Sequence, residues 1–409
     1  MRVNQYIIRI ILLASIISVI IPSCKKDEGP EYDYFVSNEL VLSYTESNIN
    51  SLIDLGVLSY PEIGDIRPYI ESGINVYRMV YSTTIEEEEI EASGLVCVPG
   101  TPGEYPVLSF QNGTNTLHEN APSLKVTDPS YTLVEAISSM GFIVVIPDYP
   151  GFGSSEEIAH PYLIAEPTVR AIVDMLYALN EAGSAEFPGI MVKNEYYLLG
   201  YSQGGWATLT LHKALELDYD MDFNLIGSVC GAGSYNMYDL FMSMMGSGTY
   251  PMPSYLGYII NAYSVYNQFT NPVSGILNEP YATRLSSLYA GNLSLDEINN
   301  QLTTSISGLF KQEFLAGIAS SPDYSSVREA LVNNSISPWN SEKPLLFVHG
   351  ESDTHVSVTA TETMYDAMIG AGTSTSTCEK LIFPGLDHGD GVVPCMTRGI
   401  IFLVGLRDQ

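Results

Sequence analysis

Six short apolar runs, at residues 106–110, 141–146, 195–199, 224–230, 344–348 and 380–383, alternate with segments of helical spacing at 131–140, 166–182, 203–217, 360–369 and 392–406. The runs are too short for buried helices and lack the polar alternation of strands that face water on one side. They read as strands covered on both faces, the pattern of a parallel sheet. Parallel neighbours need crossovers, and the helical segments between the runs supply them, so the fold class is α/β with a mostly parallel central sheet flanked by helices. With 45% apolar residues in 409, the chain can bury a large core. The alternation breaks at residues 234–339, which are rich in Met, Tyr, Gly and Ser and read as a helical cap inserted into a core of residues 34–233 and 340–409. Met237, Met242, Met244, Met245 and Met252, set among Tyr235, Tyr238, Phe241, Tyr250 and Tyr255, suit an irregular apolar pocket, and equally suit the gluing of a cap to its core.

At one of the strand-to-helix junctions stands Gly200-Tyr201-Ser202-Gln203-Gly204. A turn this sharp forces its central residue into a strained conformation, and side chains in place of the two glycines would collide with neighbouring backbone. The result is an exposed serine hydroxyl at the end of a strand.

A hydroxyl is a poor nucleophile at neutral pH, so a reactive Ser202 needs a base within hydrogen-bond reach and a carboxylate to orient that base. Of six histidines, His118, His160 and His212 fall outside the region where a base is expected, and His349 precedes the candidate acid. Asp353 directly follows the strand at 344–348, at the sheet edge where α/β ligand sites form. His388 follows the next strand. His355, two residues from the acid, is expected to cap the following helix, and Glu351 and Asp387 are fallback acids. The order Ser202, Asp353, His388 is the order of a nucleophile-elbow enzyme.

From about residue 94 onward the chain resembles the α/β-hydrolase superfamily, and within it the secretory lipase and esterase group. Besides the elbow, the resemblance rests on Ser109-Phe110-Gln111-Asn112-Gly113-Thr114 after a strand, and on Pro147-Asp148-Tyr149-Pro150-Gly151-Phe152-Gly153 with His160-Pro161-Tyr162 downstream. In that superfamily the loop after the first central strand commonly carries His-Gly before an oxyanion residue, and here Asn112 stands in place of the histidine. The resemblance implies an oxyanion hole from the backbone N–H groups of Gln203 and Thr114, and hydrolysis of carboxylic esters of lipids or short acyl chains. It implies neither a metal nor an organic cofactor. The run 148–153 reads as a tight turn beside the site, with Tyr149 a candidate lining residue. Alternatives are a carbohydrate esterase removing acetyl or feruloyl groups from glycans, a peptidase, and a binding lipoprotein without catalysis.

Residues 1–23, with Arg2 and Arg9 around an apolar run, read as a signal peptide too short to span a membrane comfortably. Ile21-Pro22-Ser23-Cys24 resembles a bacterial lipobox, which implies lipidation at Cys24, a tether over residues 24–33, and an outer-membrane lipoprotein held to the membrane by its acyl chains. The charged start of the tether, Lys25 to Glu31, resembles signals of surface-displayed lipoproteins. A formal net charge of −30 argues against nucleic acid as a partner, and no protein partner is implied. Glu86-Glu87-Glu88-Glu89 has no His or Cys beside it and reads as a solvated hairpin edge. Cys97, Cys230, Cys378 and Cys395 permit two disulfides in an exported protein; Cys378 with Cys395 is the favoured pair, and four buried thiols is the alternative.

Overall fold

The computed structural model describes residues 32–409. The segment read as a signal peptide at 1–23, the expected lipidation at Cys24 and the expected tether up to residue 31 lie outside the described residues.

Nine strands form one sheet: β1 (Phe35–Tyr44), β2 (Ile74–Ile85), β3 (Glu88–Pro99), β4 (Gly103–Gln111), β5 (Ile143–Pro147), β6 (Ile190–Tyr201), β7 (Leu225–Gly231), β8 (Leu345–Gly350) and β9 (Cys378–Phe383). Their spatial order is β1-β2-β3-β5-β4-β6-β7-β8-β9. From β5 to β9 all neighbours run parallel, and each of these six strands contains or overlaps one of the apolar runs. The crossover helices Ala165–Glu186, Gln203–Leu217 and Thr359–Gly370 fall where the spacing places them, and so does the closing helix Val392–Arg407.

Strand pleating sorts the side chains into two cores. Val145 and Leu198 face the one that contains Leu176 and Leu209 from the crossover helices. Their neighbours Val144, Ile146 and Leu199 face the other, with Ile49, Ile53 and Leu403. This division decides the cysteine question. All four thiols are free and buried, and Cys378 belongs to the first core while Cys395 belongs to the second, so the sheet lies between them and the expected pairing is not made.

The antiparallel ribbon β1-β2-β3 extends the sheet beyond β5 and is the part of the fold that the apolar runs do not announce. Glu86 and Glu87 form the β2–β3 turn with φ of 48° and 70°, the left-handed pair that a tight hairpin of this twist requires. The glutamate run is thus a solvated hairpin edge.

Between β7 and β8 the chain forms eight α-helices, one short 3-10 helix and no strand of the sheet, from Met237–Gly246 to Ser325–Asn333. Long polar side chains tie this segment to the sheet's loops. Tyr258 and Tyr263 donate to the carbonyls of Asn115 and Leu163, at 3.1 and 3.0 Å, and Trp206 Nε1 donates to Asn334 O at 3.1 Å. No helix among the described residues is long and apolar enough to cross a membrane.

Candidate active site

The central strand β6 runs straight into the helix Gln203–Leu217, and Ser202 is the single residue between them. Its φ of 61° and ψ of −121° are strained for any side-chain-bearing residue, and its N–H is held by Gly231 O on β7 at 2.8 Å. The glycines earn their places by close approach: a Cβ at Gly204 would collide with Gln111 O at the end of β4, and one at Gly200 with Gly204 O and Thr208 Oγ1. Packing the helix start this tightly against β4 and β7 presents the Ser202 side chain at the C-terminal edge of the sheet.

The loops after β8 and β9 meet it there. They are laced together by Glu351 N to Phe383 O and Ser352 N to Leu386 O, both 2.9 Å, while Tyr201 on β6 donates its hydroxyl to His388 O at 2.9 Å. His388 Nε2 consequently lies 2.9 Å from Ser202 Oγ, and His388 Nδ1 lies 2.6 Å from Asp353 Oδ2. Because Nδ1 faces a carboxylate it carries the proton, which leaves Nε2 bare toward the hydroxyl. The other oxygen, Asp353 Oδ1, accepts the N–H groups of His355 and Val356 at 2.8 and 2.9 Å. Burial alone would raise the pKa of this side chain, but hydrogen bonds from His349 and His388, the charge of His388 and the Val356 N–H together hold it well below the usual carboxylate range. Glu351 instead accepts Gly385 N, and Asp387 accepts Asp390 N, so neither fallback acid holds His388.

Gln203 lines the chamber beside Ser202, and Thr114 stands in the loop after β4. The loop after β4 is pinned by Asn112 Nδ2, which donates to Pro147 O, and Thr114 Oγ1 pairs with Tyr162 OH at 2.9 Å. Gln203 opens its helix, so its N–H has no intrahelical acceptor. Its side chain is gripped by His160 Nε2 at 2.8 Å, and His160 Nδ1 donates to Pro150 O at 2.8 Å. Burial drives His160 down to about 4, so this clamp stays neutral. Tyr149 is buried and stacked on His160 rather than lining the chamber.

His355 departs from expectation. The next helix, Thr359–Gly370, has no side-chain cap, and the His355 ring instead lies beside His388 and lines the chamber with Ser202, Tyr162, Leu240, Met244 and Tyr255. Of the methionines set among the tyrosines, Met244 alone lines this chamber; Met237 and Met245 pack in the core. Free space in the chamber is ≈ 20 Å³, room for about one water. A second cavity of ≈ 240 Å³ opens between the helical segment and the 151–160 loop, lined by His118, Phe152, Glu156, His160, Tyr258 and Tyr289 among others.

Residues 121–388 match the secretory lipase family. The chain belongs to that family of ester-hydrolysing enzymes, and its sheet and helices are those of an α/β-hydrolase. No curated protein matches the sequence. Among solved structures, a proposed hydrolase from Legionella pneumophila superposes with a TM-score of 0.81 at 23% identity, over 92% of this chain and 99% of its own. The rice cell wall degrading esterase LipA from Xanthomonas oryzae gives 0.76 at 23% identity over 93% and 98%. Candida antarctica lipase A in its closed state gives 0.65 at 16% identity over 91% and 83%. Likenesses this distant establish a shared fold.

Proposed function

We propose that this chain hydrolyses carboxylic esters through an acyl-enzyme formed on Ser202. The observation that carries the reading is the continuous hydrogen-bonded run from Ser202 Oγ through His388 to Asp353 Oδ2. Ser202 Oγ attacks the ester carbonyl while His388 Nε2 takes its proton, and the resulting imidazolium is steadied by the Asp353 carboxylate. The tetrahedral oxyanion is received by the backbone N–H groups of Gln203 and Thr114, fixed dipoles that need no reorganisation during reaction. Collapse expels the alcohol, protonated by His388, and water then attacks the acyl group by the same route in reverse. Leu240, Met244 and Tyr255 crowd the chamber, so the helical segment 234–339 acts as a lid that shifts to admit substrate.

The acyl half faces apolar side chains, which favours lipid or short-chain acyl esters. A glycan ester is the second reading, favoured by the larger cavity, where the stacked Tyr258 and Tyr289 rings, 4.6 Å apart, stand beside Glu156, Thr116 and Asn261 and suit a polyhydroxylated alcohol. LipA, described as cell wall degrading, shares the fold and so lends this reading some support. The lipobox-like Ile21-Pro22-Ser23-Cys24 and the charged residues after it support a lipid-anchored enzyme of the outer membrane that faces the cell surface. Hydrolysis of p-nitrophenyl esters from acetate to palmitate by protein starting after Cys24, with Ser202→Ala as control, tests the assignment. Turnover retained by Ser202→Ala removes it, and the chain-length preference separates a lipase from a small-acyl or glycan esterase.

A further inference from the structure

Asp353 Oδ2 accepts from two imidazoles. Besides His388, His349 Nε2 lies 3.1 Å away, and both His349 and the Asp353 carboxyl are sealed from solvent. His349 Nε2 also faces Val356 O at 2.9 Å, so with two acceptors before it that nitrogen carries the proton and donates to both. On the far side of the ring Nδ1 accepts the Thr361 hydroxyl at 2.8 Å. His349 therefore has its tautomer fixed by the two acceptors at Nε2 and is held from behind by Thr361, stands on β8 four residues before the acid, and bonds the oxygen that works on His388.

We infer that His349 is a positioning residue for Asp353, which fixes the carboxylate rotamer and drains charge from the oxygen that orients His388. The inference rests on the ester-hydrolysis reading of the Ser202 site. Its chemistry is one of competition: every donor on Oδ2 weakens that oxygen as an acceptor for His388 Nδ1–H, and so sets how strongly the carboxylate favours imidazolium over imidazole. Groups facing the pair from other elements are Tyr201 on β6, Tyr250 and Tyr255 from the helical segment, His355 and Asp387 from the loops, and Cys395 on the last helix. None of these donates a hydrogen bond to Oδ2.

The test compares the pH dependence of kcat and kcat/KM for His349→Phe, His349→Gln and Thr361→Val with wild type, alongside thermal melts and fluorophosphonate labelling of Ser202. Phe keeps the ring's bulk and removes the donor, so kcat falls about tenfold with KM unchanged, and the acid limb of kcat/KM moves to higher pH by a few tenths of a unit. Gln places an amide N–H near the Nε2 position and restores both. Thr361→Val removes the donor on Nδ1, which loosens the ring and weakens its Nε2–H as a donor, and so moves the acid limb in the same direction as Phe by less. A folded His349→Phe with wild-type kcat and acid limb overturns the inference, as do Phe and Gln variants equally slowed with the limb unmoved. Should His349→Phe not fold, an unmoved limb in Thr361→Val overturns it. Absence of labelling in wild type, or turnover by Ser202→Ala, overturns the ester-hydrolysis reading and this inference with it, and is distinguishable from the other outcomes by its independence of residue 349.

Discussion

The rings of His355 and His388 lie 5.0 Å apart, tilted by 42°, with His355 lining the chamber over Ser202. Burial, and then the neighbouring His388, push His355 below the ordinary histidine value, so at neutral pH it adds no charge against the proton uptake by His388 that the proposed mechanism requires. A fixed cation in its place opposes that uptake. His355→Arg should slow kcat and move the acid limb of kcat/KM to lower pH, by up to about one unit for a charge at this distance in a partly buried site. His355→Gln, uncharged, should leave the limb in place. A pH–rate profile of the two variants checks both statements, and an unmoved limb in His355→Arg would show that the rings are not electrostatically coupled.

The members of the site act as a unit, so single removals should cost nearly as much as removing all. Ser202→Ala and His388→Ala should each lose at least about a thousandfold in kcat with an unchanged melting temperature, and the double variant should lose little more. Asp353→Asn should fall to a comparable level because its amide cannot accept on both oxygens from four donors. Fluorophosphonate labelling should follow the same ranking.

Much of this site was legible in the sequence, and the reason is local. The six parallel strands are buried on both faces, which leaves runs of apolar residues, and the elbow needs glycines at fixed offsets from its serine. The order of Ser202, Asp353 and His388 then follows from where loops leave such a sheet. The ribbon β1-β2-β3 was not legible, because β1 is largely exposed and the glutamates closing β2–β3 mask the strands they join. His349 and His355 were read by position along the chain, as preceding the acid and as a cap. Their roles depend on which way two loops fold over the acid, and no local pattern encodes that. The cysteine pairing failed for a related cause: proximity along the chain says nothing about which face of the sheet each thiol occupies.

Gly204 tests the elbow itself. Its missing side chain lets the helix start touch the end of β4, where a methyl group would meet Gln111 O and lie near Asn112 O. Gly204→Ala should therefore destabilise the fold by about 2 kcal/mol or more, and any folded fraction should be slow, since the helix can yield only by shifting Ser202 and the Gln203 N–H. Gly405→Ala, on the last helix with open space around it, should be neutral or mildly stabilising. Chemical denaturation of both variants makes the comparison.

Chamber volume should govern acyl preference. Leu240 and Met244 stand over Ser202 in the helical segment, and the free space beside them holds no acyl chain as it is. Met244→Ala or Leu240→Ala should raise kcat/KM for longer p-nitrophenyl esters relative to acetate, by roughly threefold or more, at a stability cost of about 2 kcal/mol for the buried Met244. A selectivity profile unchanged by either variant would place the acyl group elsewhere.

Glu135 lies far from this chemistry and sets a pH limit on the fold. It is fully buried, both carboxyl oxygens lack a hydrogen-bond partner, and burial raises it from 4.5 to about 8. Below pH 4.5 folded and unfolded chains both hold the proton, and ionisation costs the fold nothing. Between 4.5 and 8 the unfolded chain releases the proton while the folded chain keeps it, so stability declines as pH rises through that window. Above 8 the folded protein carries an unpaired buried carboxylate and the loss is complete. Glu135→Gln cannot ionise, so its melting temperature should match wild type near pH 4.5 and exceed it by several degrees at pH 9, with the gap opening across the window between. Melts of both proteins across that range settle the matter: a gap that stays constant with pH would mean that Glu135 is ionised in the folded chain and has a partner there.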